Sequence, residues 1–83
     1  MIYIGLDIGK RAIDVQILKG EDNFEHHEVA NDAEGWQQLI NIIKRKRHKK
    51  VHVCCEYTGA YYFGAAVALA EAGYDVSVVN PLT

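Results

Sequence analysis

Apolar and polar residues alternate from the first positions of the chain: Ile2, Ile4, Leu6 and Ile8 are separated by Tyr3, Gly5 and Asp7. A period of two predicts a strand over residues 2 to 8, with Tyr3, Gly5 and Asp7 on one face. After the turn Gly9-Lys10-Arg11, Ile13, Val15 and Ile17 alternate with Asp14 and Gln16, which makes a second strand and a hairpin. Gly20-Glu21-Asp22-Asn23 is another turn, and Phe24 to Ala30 reads as a third strand with a polar outer side, placed at a sheet edge. The period then changes. Trp36, Leu39, Ile40 and Ile43 share one face of a helix, with Asn31 as its N-cap and Glu34 three residues on as the partner in a capping-box-like pair. Val51 to Glu56 is a short apolar strand, and Thr58 is placed to cap an alanine-rich helix over Ala60 to Ala72 that Gly73 stops. Tyr74 to Val79 is the last strand. The order βββαβαβ predicts a mixed α/β sheet, three antiparallel strands followed by a parallel strand-helix-strand unit.

Composition narrows the class. The chain has 83 residues, 49% of them apolar, with one proline and no low-complexity segment, so a single globular domain over residues 1 to 83 is expected. Chains this short bury only about 60% of their unfolded surface, so stability should be modest and a partner or further segment valuable. No apolar run reaches the roughly 18 residues of a membrane span, and no export signal opens the chain. A cytoplasmic setting is therefore expected, with no membrane partner. Cys54 and Cys55 are neighbours within a strand, so their side chains point to opposite faces and cannot bridge each other. A zinc site from His52, Cys54 and His26 or His27 lacks the usual paired spacing, which leaves buried free thiols as the better reading.

Two carboxylates carry the chemistry. Asp7 and Glu56 each end an apolar strand and each is followed closely by a glycine. An acid at the rim of a buried sheet is costly unless it binds something. In the fourth strand His52, Cys54 and Glu56 share a face, so if the first and fourth strands are neighbours the two acids converge, with Gly5 leaving room beside them. Converging carboxylates repel unless a cation lies between them, and Mg²⁺, with its preference for oxygen, suits them. Metal-assisted phosphoryl transfer is the chemistry that follows, although two-ion centres normally take three or four carboxylates and only two are evident. The competing account makes Asp7 a turn residue and Glu56 a partner of Lys10 or an acid at the following helix start. Asp14 and Asp75 are accounted for by solvent exposure. Tyr57, Tyr61 and Tyr62 could stack on bases, but half-buried tyrosines are commoner as core with a wet hydroxyl.

Charge is uneven. Lys44, Arg45, Lys46, Arg47, Lys49 and Lys50 hold six of the nine basic residues, which leaves minus eight on the remainder against a net charge of minus two. Such a run, together with Lys10 and Arg11, could meet a nucleic-acid backbone, while cations ending a helix also complement its dipole without any ligand.

The segments IYIGLDIGKRAIDVQIL, VANDAEGWQQLI and CEYTGAYYFGAAVALAEAGYDVSVVNP resemble the N-terminal domain of DEDD-type insertion-sequence transposases and the related Piv DNA invertases, over nearly the whole chain. The resemblance implies a partial RuvC-like domain of the ribonuclease H fold that lacks a following helix. It also implies that Asp7 and Glu56 are the first two acids of a catalytic, Mg²⁺-binding tetrad. The family's other two acids, and a domain with a serine implicated in strand exchange, belong to later segments. For a full-length relative it implies Mg²⁺-dependent cleavage and joining of DNA at transposon ends and target, directed in some members by a structured RNA. The isolated chain should then bind Mg²⁺ weakly and be inactive. Two rivals remain. Actin- and sugar-kinase-like ATPases open with a similar strand and Asp-x-Gly turn, but they want Gly, Ser or Thr after the first glycine where this chain has Lys10-Arg11. A non-catalytic dimerisation module, or homo-oligomer, would use exposed edge strands.

Overall fold

In the computed structural model, which describes residues 2–20, 23–47, 50–57 and 60–79, the predicted element order is present: β1 (Ile2–Ile8), β2 (Ala12–Gly20), β3 (Asn23–Ala30), α1 (Ala33–Arg45), β4 (Val51–Tyr57), α2 (Phe63–Glu71) and β5 (Asp75–Val79). The five strands form one sheet in the order β3-β2-β1-β4-β5. β1 pairs antiparallel with β2 and β2 with β3, whereas β1–β4 and β4–β5 are parallel. β3 lies at the edge, as its polar outer side predicts.

Strand alternation decides which face is covered. Ile2, Ile4, Leu6 and Ile8 of β1 join Ile13, Val15 and Ile17 of β2, Val53 and Cys55 of β4, Leu39, Ile40 and Ile43 of α1, and Ala65 and Leu69 of α2 in one core. Both helices therefore pack on the same face of the sheet. The alternate residues point to the opposite face, where Tyr3, Leu18 and Phe24 are exposed side by side in register. Among the described residues, no helix is long and apolar enough to cross a membrane.

The helix ends correct two sequence expectations. The N-cap of α1 is Asp32, whose Oδ1 accepts the Gly35 N–H at 2.7 Å. Asn31 does not cap, and the capping-box reading with Glu34 fails with it, because the Asn31 amide is occupied elsewhere. Helix α2 is shorter than the alanine-rich run suggests, starting at Phe63 with no side-chain cap, while Thr58 lies outside the described residues. Its C-terminus is as expected. Gly73 adopts φ 97°, and the Tyr74 and Gly73 N–H groups donate to Leu69 and Ala70 carbonyls, the paired bonds of a Schellman motif.

Two glycines make the helix packing feasible. A Cβ on Gly35 would lie 1.8 Å from the Ala30 carbonyl oxygen, so α1 can start this close to the end of β3 only with glycine there. A Cβ on Gly64 would lie 2.2 Å from the Trp36 ring, so the indole of α1 rests directly on the backbone of α2.

Candidate functional site

The parallel register of β1 and β4 sets Asp7 directly beside Glu56, with Gly5 beside Cys54 and Tyr3 beside His52. Adjacent strands lie about 4.8 Å apart, so the two acids are cross-strand neighbours on one face, as the strand patterns predicted for neighbouring strands. Both acids are exposed on the face away from the helices, near the C-terminal ends of their strands. Neither is held by a hydrogen bond or ion pair to any described residue. They border an open cavity of about 520 Å³ lined by Gly5, Leu6, Asp7, Asp14, Gln16, His26, Cys54 and Glu56. A Cβ on Gly5 would meet nothing within 4 Å, so Gly5 supplies open space here rather than close packing.

Sequence reasoning missed the neighbours of this pair. Asp14 stands opposite Asp7 across the β1–β2 hairpin, and Glu28 stands opposite Asp14 on β3. Glu28, Asp14, Asp7 and Glu56 thus form one rung of four exposed carboxylates across four strands. Solvent exposure describes Asp14 correctly but leaves out its position. The missing signal was the length of the turn. Strand pairing reaches Ile8↔Ile13 and the Gly9 N–H donates to the Ala12 carbonyl, so only Lys10 and Arg11 lie in the loop and Asp14 must face Asp7. Like charges directly opposite are destabilising, and among the described residues no three His, Cys, Asp or Glu side chains are grouped closely enough to hold a metal ion by themselves. His26 Nε2 approaches Asp14 Oδ1 at 3.3 Å, a partial offset when that imidazole is protonated.

The donor set suits a hard cation. Asp7 and Glu56 offer exposed carboxylates on adjacent strands that engage no described residue, the ligand type Mg²⁺ takes while keeping several waters. Cys54 also lines the cavity, while Cys55 points the other way into the core, where burial and the neighbouring Cys54 push its thiol up to about 11. The two thiols thus sit on opposite faces, as their adjacency requires. His52 Nε2 lies 3.0 Å from Ser77 Oγ and its ring meets Tyr3 edge-on.

The basic residues fall into two groups. Lys10 and Arg11 form the exposed turn directly after β1, at the acidic end of the sheet. Lys44 and Arg45 end α1 at the opposite pole, followed by Lys46, Arg47 and Lys50, and the Ile2 N–H donates to the Lys50 carbonyl at the start of β1. Five residues of strand, about 16 Å, separate that end from Asp7. Lys46 is engaged: its Nζ reaches both Glu25 oxygens at 2.6 Å, alongside Lys19 and His27, and these partners lower the Glu25 pKa to about 2. Lys44, Arg45 and Arg47, with Asn41, line a shallow depression, while Lys49 lies outside the described residues.

Comparison with known proteins follows the same lines. A family model described as transposase, for the DEDD transposases of the IS110 type, matches residues 4–83. No curated protein sequence matches the chain. Among solved structures, the RuvC of T. thermophilus in complex with a Holliday junction substrate superimposes with TM-score 0.67 at 17% identity, covering 99% of this chain and 67% of that one. Another Thermus thermophilus RuvC structure gives 0.63 at 17% identity, covering 98% and 64%. The Aquifex aeolicus PPX-GPPA enzyme gives 0.53 at 13% identity, covering 98% and 36%. At these identities the likeness is one of fold: the mixed five-stranded sheet is RuvC-like, of the ribonuclease H type. This chain spans about two thirds of the RuvC chains and about a third of the PPX-GPPA enzyme.

Proposed function

This chain belongs to the DEDD transposase family, and from that premise we propose that it contributes Asp7 and Glu56 as half of a four-carboxylate centre that binds Mg²⁺ for DNA strand cleavage and joining during transposition. The observation that carries the reading is the in-register adjacency of Asp7 and Glu56 on the open face of the sheet, at the mouth of a cavity. When bound there, Mg²⁺ supplies charge neutralisation at phosphate oxygens and lowers the pKa of a coordinated water. The chain's own part is to hold two carboxylates rigidly on adjacent strands and to keep the space above Gly5 open for a phosphodiester. Lys10 and Arg11 stand beside the acids, where they can hold the approaching DNA backbone through phosphate contacts. Lys44, Arg45 and Arg47 at the far pole are a second, separate phosphate-binding region in this proposal. A structured guide RNA and a second copy of the chain are its remaining partners.

The fold is shared with a PPX-GPPA enzyme, so fold does not separate the DNA reading from a nucleotide one. The family match supports the DNA reading, and so does the charged pair Lys10-Arg11, which stands where a phosphate cradle wants Gly, Ser or Thr.

The test is strand transfer by the transposase that carries this chain, in Mg²⁺, with D7N and E56Q. Each should lower activity by about 10³-fold or more with the fold intact, because each removes a ligand of the Mg²⁺ that would neutralise charge in the transition state. Activity within tenfold of wild type in either variant would overturn the assignment. The isolated 83 residues, with two of four acids, should show only weak Mg²⁺ binding and no cleavage. Tight stoichiometric binding in a calorimetric titration would contradict the half-centre reading.

A further inference from the structure

Asn31 makes three side-chain hydrogen bonds and one backbone hydrogen bond, each to a different residue. Its Nδ2 donates to the carbonyl of Gly9 at 2.9 Å and to the carbonyl of Tyr61 at 2.9 Å. Its Oδ1 accepts the indole N–H of Trp36 at 2.8 Å, and its backbone N–H donates to the Arg11 carbonyl at 2.9 Å. The amide orientation is dictated by its partners, since an indole N–H can only donate and a backbone carbonyl can only accept. Gly9 lies two residues after Asp7, and Tyr61 lies between β4, which carries Glu56, and α2. One amide therefore ties together the two chain segments that leave the strands bearing the two acids.

The sheet alone does not do this. Asp7 and Glu56 are each one residue from the end of their strands, where a ladder frays first. The bonds through Asn31 close the ladder from outside its last rung. Asparagine is the residue the arrangement requires: aspartate has the acceptor but neither donor, and serine or threonine has one donor for two carbonyls. Trp36 and Gly64 complete the device, because the indole reaches Asn31 only while it rests on the bare backbone of Gly64.

We infer that Asn31 is a positioning residue for the acidic centre, fixing the spacing of Asp7 and Glu56 by clamping the segments that follow them. This rests on the reading of Asp7 and Glu56 as cation ligands given above. Asn31 is half-buried and remote in sequence from both acids. Its effect is on geometry rather than on bound cation or substrate.

The experiment uses the 83-residue chain and two readouts, amide hydrogen exchange and Mn²⁺-induced NMR relaxation, in wild type, N31A, N31D, W36F and D7N. In wild type, Mn²⁺ should broaden the Asp7 and Glu56 signals together, and D7N should abolish the effect. N31A and N31D should reduce protection at least tenfold at the Ile8, Gly9 and Glu56 amides while Ile4 and Val53 stay within twofold. The Mn²⁺ concentration needed to broaden both acids should rise at least fivefold. W36F, which loses one bond of the four, should fall between these and wild type. Unchanged protection at the last rung in both Asn31 variants, or a uniform loss that includes Ile4 and Val53, would overturn the clamp. Absence of selective broadening in wild type would overturn the cation reading instead, and the exchange data would still decide whether Asn31 clamps the rung.

Discussion

At the residue scale, three glycines that look alike in sequence have different physical roles. Gly35 faces the Ala30 carbonyl so closely that any Cβ collides with backbone, which cannot rotate away, and Gly64 gives the Trp36 indole its seat. G35A should destabilise the domain by about 3 kcal/mol, the upper end of ordinary overpacking, measured by urea unfolding. Gly5, by contrast, has open space where a Cβ would stand. G5A should leave stability unchanged or raise it by roughly 0.5 kcal/mol, because alanine restricts the unfolded chain more than glycine does. A drop of more than about 1 kcal/mol on G5A, beyond that entropic range, would mean that the acid-bearing face is covered in solution. Asp14 makes a different residue-level point. Its exposure is as the alternation predicts, yet the two-residue turn at Lys10-Arg11 sets it against Asp7 and makes it part of the acidic rung.

At the element scale, α1 is held at both ends by side chains that sequence pattern alone does not reveal. Its start is capped by Asp32 and secured by Trp36 on Asn31, and its end is held where Lys46 pairs with Glu25 of β3. Glu25 is a carboxylate depressed from its ordinary 4.5 to about 2, chiefly by Lys19, then Lys46 and His27. A depressed folded pKa means that the unfolded chain binds the proton more readily. The stabilisation is therefore fully present above the ordinary value of 4.5 and is lost as pH falls towards 2. Urea unfolding followed down through that window should show a decline in stability that E25Q flattens. The same slope in wild type and E25Q would remove Glu25 as its source. Because Glu25 is partly solvent-screened, the difference should shrink at high salt.

At the scale of the whole molecule, charge is divided between poles. The acidic rung and Lys10-Arg11 occupy one end of a body about 30 × 28 × 20 Å, and the basic residues that end and follow α1 occupy the other. If both regions meet DNA, they meet it at different places. K44A/R45A/R47A should weaken DNA binding and reduce the slope of log K against log salt by about 0.9 for each phosphate that is no longer neutralised, as read by fluorescence anisotropy. K10A/R11A should act beside the acids and reduce strand transfer more than affinity. Equal effects of the two variants on both readouts would mean that the poles do not act separately.

Much of this was legible in the chain. Period-two and period-3.6 patterns give the element order because they report which side of each element must leave water, and an acid closing each of two apolar strands marks the candidate centre. Those signals are local. The tertiary structure alone decided that β4 lies beside β1 in the register that joins Asp7 to Glu56, that Asp14 and Glu28 share their rung, and that Lys44, Arg45 and Arg47 lie at the far pole. It also took Asn31 from an expected helix cap to the tie between two distant segments. Strand order and register depend on interactions between residues far apart in sequence. Hydrophobic period says that a face is buried but not which strand it lies beside.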